Sequence, residues 1–567
     1  MATQSIANDS TRNNANNNGP SIVRFLSAKI DGWTISVLLI AIVVSVPIVT
    51  VIGLAIAPNE DIWRHLFDTV LGRYVRTTLI LMTGVGFGTF VIGTGTAWIV
   101  TMCNFPGKKF FEWGLLLPMA VPAYVIAYVY TDILQYSGPL QAMLRDTFAW
   151  ETKSQYWFPE IRSIGGAITM MTMVLYPYVY LLARSAFLEQ SVCVLEASRT
   201  LGRGPWRGFF RVALPMARPA IAVGVSLVMM ETLNDFGTVD FFAVATFTAG
   251  IFDVWLNMNS PSGAAQLASV LLLFVGALVT LERIGRRGRK FHNTSSHVRK
   301  LPGYQLHGFV KWLAVVCLSI PVIAGFIIPA GVLGRYVIDF HSSALDASFW
   351  DNVVNSLMLS GVAGFVAVGV GIVLAYGLRL GQNRAVRFLA RFAAMGYAVP
   401  GAVLGIGIIV SLGWIDNSID GAMRNNFSFS TGLILSGTIA AVVFGYLSRF
   451  LSLSFGTLDA GLTKITPSME GAARTLGLNR LATLRRVHLP LMRGSVLTAG
   501  LLVFVDCMKE LPMTMILRPF NFETLATFVH QYASDEMLPE ASMAALSIVG
   551  AGIIPVILLS RTMSGKN

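Results

Sequence analysis

Long apolar stretches, separated by short polar segments, run through almost the whole chain. Twelve of them are about 20 residues long, the length that an α-helix needs to cross the apolar core of a membrane. They form two groups of six on either side of a basic segment. The predicted spans are residues 33–57, 75–102, 111–131, 164–188, 217–238, 264–281, 309–333, 353–378, 388–413, 431–455, 494–514 and 541–560. The pattern therefore predicts an all-α polytopic membrane protein with about 12 transmembrane helices.

The composition agrees with this prediction. Hydrophobic residues make up 54% of the chain and charged residues only 13%, whereas an ordinary soluble domain has about 25% charged residues. Four scattered cysteines without a Cys-x-x-Cys spacing indicate neither a disulfide framework nor a metal knuckle. The net charge of +12 reflects membrane topology rather than nucleic-acid binding, because no basic run is interleaved with stacking aromatic residues.

The basic residues also predict the orientation, since lysine and arginine stay on the cytoplasmic side of short loops. With the N-terminus inside, 30 of the 42 basic residues fall in cytoplasmic segments. The expected organisation is a disordered cytoplasmic tail at 1–32, a first six-helix repeat at 33–281, a basic cytoplasmic linker at 282–308, a second repeat at 309–560 and a cytoplasmic tail at 561–567. Both termini and the linker are therefore expected on the cytoplasmic side.

The two groups of spans are copies of one unit. Ala120-Val-Pro-Ala in the first half corresponds to Ala398-Val-Pro-Gly in the second. Because each unit has an even number of spans, both halves cross the membrane in the same direction. Two parallel repeats related by an axis along the membrane normal are typical of transporters with a path at the interface.

A polar cytoplasmic loop also occurs twice, once in each half. The first copy runs from Glu196-Ala-Ser-Arg-Thr-Leu-Gly202 to Pro215, and the second runs from Gly471-Ala-Ala-Arg-Thr-Leu-Gly477 to Pro490. We expect a short helix that ends at each glycine in the left-handed conformation, followed by a second helix. The alternative is an ordinary basic inner loop, but that does not explain identical spacing in both halves.

At these loops the chain resembles the permease subunits of ATP-binding cassette (ABC) importers, whose signature reads Glu-Ala-Ala, then Gly, then Leu-Pro. The resemblance implies a type I ABC importer permease fold, two copies of a cytoplasmic ATP-binding subunit and a periplasmic substrate-binding protein. It also implies a bacterial inner membrane, and a Gram-positive cytoplasmic membrane would suit the same residues. In the second copy Gly471 stands where the glutamate is expected, and Glu470 is one residue early. The residues implied to contact the ATPase are Glu196, Ala197, Gly202, Pro215, Glu470, Ala472, Ala473, Gly477 and Pro490.

Two further segments make the resemblance more specific. Residues 231–240 and 509–527, together with the fusion of two halves, resemble the ferric-iron permeases within this family. The substrate implied is ferric iron, and similar fused permeases for thiamine or aminoethylphosphonate remain alternatives.

Polar residues interrupt the fifth and eleventh predicted spans at equivalent places. They lie at i, i+3 and i+4, so each set shares one helix face. Ionisable residues within spans usually face a cavity or a partner, which makes these side chains candidates for a translocation path. The alternatives are a pair formed along one helix by Asp506 and Lys509, or helix ends that water satisfies. The six candidates are Glu231, Asn234, Asp235, Asp506, Lys509 and Glu510.

The predicted outer loops hold 18 acidic and nine basic residues, which suits a hard cation but also follows from topology alone. No phosphate-binding Gly-x-x-x-x-Gly-Lys-Ser/Thr sequence occurs, so ATP hydrolysis is expected on another polypeptide. No enzyme motif or cofactor is expected, and whether a residue binds metal is left open.

The alternative from another class of protein is an ion-coupled secondary transporter. That alternative does not explain why two matched cytoplasmic loops occur.

Overall fold

The computed structural model describes residues 32–56, 62–188, 205–286, 303–340, 347–380 and 384–564. Within these ranges the chain is almost entirely helical. The α-helices are Gly32–Ile56, Ile62–Leu66, Gly72–Met102, Lys108–Gly114, Ala123–Leu134, Pro139–Phe148, Ile164–Leu188, Pro205–Gly208, Leu214–Asn234, Gly237–Phe241, Phe247–Phe252, Pro261–Arg286, Gly308–Val322, Ile328–Asp339, Ala347–Leu380, Arg384–Ala393, Gly401–Phe427, Ile439–Thr463, Pro467–Thr475, Arg480–Thr483, Leu489–Leu491, Arg493–Met508, Pro512–Leu517, Leu525–Ser534 and Leu538–Ser564. The predicted all-α membrane fold is confirmed.

Shorter elements connect or interrupt these helices. One-turn π-helical segments occupy Phe67–Leu71, Phe209–Ala213, Asp253–Asn257, Ile323–Ile327 and Leu484–His488, and 3₁₀ turns occupy Leu117–Ala120, Lys153–Gln155 and Gly396–Ala398. The structure describes two short strands, Cys103–Asn104 and Tyr304–Gln305, which pair in parallel. The first strand follows helix Gly72–Met102, and the second lies at the end of the linker between the two repeats. The pairing therefore holds the end of the linker against the first half.

Ten described helices are long and apolar enough to cross a membrane, and up to 12 spans result if two bent helix pairs each count as one. The bent pairs are Lys108–Ala120 with Ala123–Phe148, at 88°, and Arg480–Leu491 with Arg493–Met508, at 78°. About 12 spans were expected as continuous helices. The eleventh predicted span instead ends at Met508, and a separate short helix begins at Pro512.

The third and ninth predicted spans break at the same place in the two repeats. In the first half a 3₁₀ turn ends at Ala120, and the next helix begins after Pro122. In the second half a 3₁₀ turn ends at Ala398, and the next helix begins after Pro400. The residue before a proline is pushed out of the helical region, and Val121 and Val399 are indeed extended. Continuous spans over 111–131 and 388–413 were therefore wrong.

The segment before the second span also differs from expectation. Residues 58–76 were assigned to an outer loop, but a single helical run extends from Trp63 to Met102. The π-helical turn at Phe67–Leu71 lies within this run, and it accommodates an extra residue without ending the helix. The second span is thus longer than the apolar pattern alone suggested.

The two halves exchange their first spans. Helix Gly32–Ile56 of the first half buries Val37, Ala41 and Val44 in a cluster formed with residues of the second half, among them Leu374 and Ala390. In the opposite direction, the hydroxyl of Tyr130 in the first half donates to the carbonyl of Ala324 in the seventh span, at 2.8 Å. The halves are therefore interlocked rather than placed side by side.

Candidate translocation and coupling sites

The second cytoplasmic loop forms the predicted pair of short helices. Helix Pro467–Thr475 is followed by Gly477 at φ = +79°. The amide of Gly477 donates to the carbonyl of Arg474 at 3.0 Å, and the amide of Leu478 donates to the carbonyl of Ala473 at 3.1 Å. This is the Schellman arrangement, in which a glycine in the left-handed conformation closes a helix. Gly477 is therefore required by backbone geometry.

The second helix of the loop begins and ends in a similarly defined way. Its cap is Asn479, whose side chain accepts from the amide of Ala482 at 2.8 Å. A π-helical turn at Leu484–His488 then precedes Pro490. The first half has the same turn, Phe209–Ala213, directly before the helix that contains Pro215. Proline lacks the amide that would continue the regular helical bonding, and a wider turn accommodates this.

Part of the predicted coupling surface lies outside the described residues, namely Glu196, Ala197 and Gly202 of the first loop. In the second loop Ala472, Gly477 and Pro490 are exposed and Ala473 is buried against the loop's own core. Leu476 is 81% exposed although it is apolar. Met469 and Leu481 on the same loop are also exposed, by 48% and 46%. Several exposed apolar side chains on one polar loop, unlike a single one, are typical of a contact with another protein.

Glu470 does not point outward as a free contact group. Its carboxylate pairs with Arg379 at 3.2 Å and with Arg474 at 2.7 Å. Arg379 lies at the end of helix Ala347–Leu380 and also donates to the carbonyls of Leu462 and Ile465. Burial raises the pKa of Glu470, but the hydrogen bond and charge of Arg379, together with Arg474, outweigh burial and hold that pKa below its usual range. The carboxylate thus fastens the loop to a span.

A cavity of about 100 Å³ lies between the two halves, deep among the spans. The six residues predicted from the fifth and eleventh spans all line this one cavity, although the two sets come from opposite halves of the chain. They are Glu231, Asn234, Asp235, Asp506, Lys509 and Glu510.

Two hydrogen bonds cross the cavity from one half to the other. The hydroxyl of Tyr397 donates to Oε1 of Glu231 at 2.6 Å. The amide of Gly401 donates to Oδ1 of Asn234 at 2.7 Å. Gly401 lies close to the wall, since a Cβ added there would come within 2.6 Å of Oε1 of Glu510. The polar face of the fifth span therefore contacts the broken ninth span directly.

Asp235 and Glu510 occupy equivalent positions and perform the same local task. The carboxylate of Asp235 accepts from the amide of Thr238 at 2.9 Å, and that of Glu510 accepts from the amide of Met513 at 3.4 Å. Each carboxylate thus satisfies an amide at the start of the short helix that follows the span. A negative group at this position also complements the positive end of a helix.

The expected alternative, a pair within one helix, is present: Nζ of Lys509 lies 2.8 Å from Oδ1 of Asp506. Both residues line the cavity as well, so the two interpretations are compatible. A second ion pair joins Nη1 of Arg449 to Oε1 of Glu510 at 2.6 Å, and its side chains are 3% and 5% exposed. The sequence analysis did not include Arg449 among the candidates and missed this contact.

Three tyrosines add hydroxyl groups to the cavity wall. Tyr124, Tyr178 and Tyr397 all line it. With four carboxylates and two basic groups, the lining has a formal charge of −2. In the part of the chain that the structure describes, no group of three His, Cys, Asp or Glu residues could hold a metal ion. The lining is rich in oxygen but is not a closed metal cage.

Comparisons with known proteins agree with this architecture. Residues 89–287 match the family of binding-protein-dependent transport system inner membrane components. The chain is 25% identical over 506 residues to the Fe(3+)-transport system permease protein FbpB 2 of Haemophilus influenzae, covering 88% of this chain and 91% of that protein. It is 24% identical over 492 residues to the putative ferric transport system permease protein FbpB 1 of the same organism, covering 82% and 73%.

A smaller relative is also informative. The molybdenum transport system permease protein ModB of Escherichia coli is 29% identical over 230 residues, which are 95% of that protein but only 39% of this chain. A single permease unit thus corresponds to a part of the present chain, as expected of a chain built from two such units. A solved bacterial ABC transporter involved in alginate import aligns with 42% of this chain at 15% identity and a TM-score of 0.36.

The repeated helical halves and the match of residues 89–287 to this family indicate the class, a multi-pass inner-membrane permease subunit of an ABC importer. Such a subunit does not itself hydrolyse ATP, and it works with a separate ATPase and a substrate-binding protein. Within this class it is a fused two-half permease similar over most of its length to ferric-iron transport permeases, as the sequence resemblance implied.

Proposed function

We propose that this permease carries ferric iron, delivered by a periplasmic binding protein, across the inner membrane into the cytoplasm. The observation that carries the proposal is the cavity between the halves. Its wall presents carboxylate and phenol oxygens with a formal charge of −2, and hard cations prefer oxygen ligands. The names of the relatives that match most of the chain support the same substrate.

The charge of the cavity argues against an anionic substrate. Relatives named for molybdenum and sulfate transport match only a part of this chain. Like charges a few ångströms apart in a partly buried site repel by about 4 kcal/mol at an effective dielectric constant of 20. The lining therefore disfavours oxyanions. The cationic vitamin thiamine and the zwitterion aminoethylphosphonate are the alternatives that an uptake experiment must separate from iron.

We assign the driving force to the two cytoplasmic loops. Each loop would dock on one of two copies of the ATPase, through Glu196, Ala197, Gly202 and Pro215 in the first half and through residues around Gly477 in the second. ATP binding would draw the loops together and open the cavity outward, and hydrolysis would return it to the inward-open state. Both termini and the linker 282–308 would lie in the cytoplasm, with repeats at 33–281 and 309–560.

Contact with lipid follows from the outer faces of the spans. Large apolar side chains such as Phe87, Leu273 and Phe365 are 70–84% exposed in the isolated chain. Apolar surface on this scale is stable only in a hydrocarbon environment or against a partner. We assign these faces to membrane lipid.

Uptake of radiolabelled ferric iron tests the proposal. Iron-starved cells that lack this gene would be complemented with the wild-type chain or with Gly202→Val/Gly477→Val, and thiamine and aminoethylphosphonate uptake would be measured in parallel. Rescue of iron uptake by the wild type alone supports ferric import driven through the loops. Restored iron uptake with both chains would favour an ion-coupled secondary transporter. If the wild-type chain restores uptake of thiamine or aminoethylphosphonate but not of iron, ferric iron is not the substrate.

A further inference from the structure

The two halves of the cavity differ in how their carboxylates are neutralised. In the alignment of the two repeats, Asp506 and Glu510 of the second half correspond to Glu231 and Asp235 of the first. Both second-half carboxylates have an ionic partner within their own half: Lys509 for Asp506 and Arg449 for Glu510. The charged side chains that the second half contributes to the cavity therefore have no net charge.

The first half lacks both basic residues. Asn234 stands at the position equivalent to Lys509, and Val174 stands at the position equivalent to Arg449; both line the cavity. Among the residues that the structure describes, Glu231 and Asp235 form no ion pair with a basic side chain. Glu231 instead accepts a hydrogen bond from Tyr397, and Asp235 accepts from Thr238. The two cavity carboxylates that have no ion-pair partner among the described residues thus lie on one helix face, at i and i+4.

A separate observation points to a ligand in this cavity. The hydroxyl of Tyr124 is buried without a hydrogen-bond partner in the described structure, and the residue is only 5% exposed. Tyr124 lines the cavity, within electrostatic range of Glu510, Lys509 and Asp235. An unsatisfied buried hydroxyl is costly unless something occupies the space beside it. Water or a cation with oxygen ligands would satisfy it.

We propose that the transported cation is recognised by the first half alone, through Glu231, Asp235 and the hydroxyl of Tyr124. The paired carboxylates of the second half form a neutral wall that positions the site without binding the cation. This inference rests on the proposed function, because it assigns the substrate to one side of the same cavity. It also makes the site chemically asymmetric although the fold around it is repeated.

The Asp506–Lys509 pair of the second half suggests a substitution that tests the proposal. Asn234→Lys copies into the first half the Asp506–Lys509 arrangement that the protein already tolerates at the equivalent position. The new ammonium group would pair with Glu231 at i, i+3. The matched control is Asn234→Leu, which removes the same hydrogen bond from Gly401 but adds no charge. The reciprocal variant, Lys509→Asn, releases Asp506 from its partner.

Two measurements are made on the full-length chain. The first is radiolabelled ferric uptake in cells that contain the ATPase and the binding protein. The second is equilibrium binding of Tb³⁺, a hard trivalent cation, to the purified permease in lipid nanodiscs. We expect Asn234→Lys to weaken both by about tenfold or more relative to Asn234→Leu, because a positive charge is added beside the cation. Lys509→Asn should strengthen Tb³⁺ binding.

The outcomes separate this inference from the proposed function. Equal uptake and equal Tb³⁺ binding by Asn234→Lys and Asn234→Leu would overturn the one-sided site while leaving ferric import intact. Another outcome is that the wild type restores no iron uptake while Asn234→Lys still weakens Tb³⁺ binding relative to Asn234→Leu. That result would support the first-half cation site and contradict ferric iron as the substrate. Weaker Tb³⁺ binding in Lys509→Asn would also contradict a neutral second-half wall.

Discussion

The buried ion pair between Arg449 and Glu510 is the contact whose removal should affect stability most. The two side chains are 3% and 5% exposed, and Nη1 lies 2.6 Å from Oε1. Removing one member of a buried pair leaves an uncompensated charge and costs about 3–5 kcal/mol. We expect Arg449→Leu to lower the free energy of unfolding by about 3 kcal/mol, the lower end of that range, because the adjoining cavity can admit water to solvate Glu510.

A double-mutant cycle isolates the interaction. Arg449→Leu combined with Glu510→Gln removes both charges, and the glutamine oxygen can still accept from the amide of Met513. The double variant should therefore be within about 1–2 kcal/mol of the wild type. With about 3 kcal/mol for each single substitution, the coupling energy is about 4–5 kcal/mol. The measurement is reversible unfolding of the purified protein in mixed micelles of increasing SDS content, followed by circular dichroism.

Two results would refute this reasoning. If either single substitution changes the free energy of unfolding by less than about 0.5 kcal/mol, the pair is effectively solvated. If the two single effects simply add in the double variant, the residues act independently despite their contact.

Three further predictions concern the loop and the cavity. Gly477→Ala places a Cβ at φ = +79° and should cost about 1–2 kcal/mol of stability and reduce coupled ATP hydrolysis. Gly550→Ala, in an open helical position, should lower neither, because alanine favours a helix more than glycine does. Equal losses in both variants would argue against the cap. Glu470→Gln should lower stability near neutral pH. Because the folded pKa of this carboxylate is depressed, its contribution is present above the unfolded pKa of about 4.3 and is lost as the pH falls through the folded value, so unfolding of wild type and variant should converge in acid. Tyr397→Phe removes the hydrogen bond to Glu231 across the halves and should raise basal, substrate-independent ATP hydrolysis of the complex; unchanged basal hydrolysis would show that this bond does not restrain the halves.

The sequence was most informative where local chemistry decides the structure. The cap at Gly477 followed from an Arg-Thr-Leu-Gly sequence, because a helix that ends at glycine is specified by a few neighbouring residues. The polar faces of the fifth and eleventh spans followed from spacing alone, and the structure brings both to one cavity. The internal repeat supported this inference, because polar residues occur at equivalent positions in both halves.

Other features depend on contacts that spacing cannot reveal. Arg449 and Tyr397 reach the cavity from other spans, so no local pattern connects them to Glu510 or Glu231. One signal was available, because an arginine within an apolar stretch is costly and usually functional. The breaks before Pro122 and Pro400 were also missed. Hydropathy averages over a window and does not register that proline restricts the residue before it.

The exchange of first spans has a consequence for how the protein is made. Val37, Ala41 and Val44 find their burial partners, such as Leu374 and Ala390, only in the second half of the chain. During synthesis the N-terminal span therefore enters the membrane long before the helices that cover it exist. The newly made first half must wait in a partly assembled state with one face of that span open to lipid or to an insertion chaperone. Completion of the second half closes both halves at once, so a truncated first half should be degraded rather than accumulate.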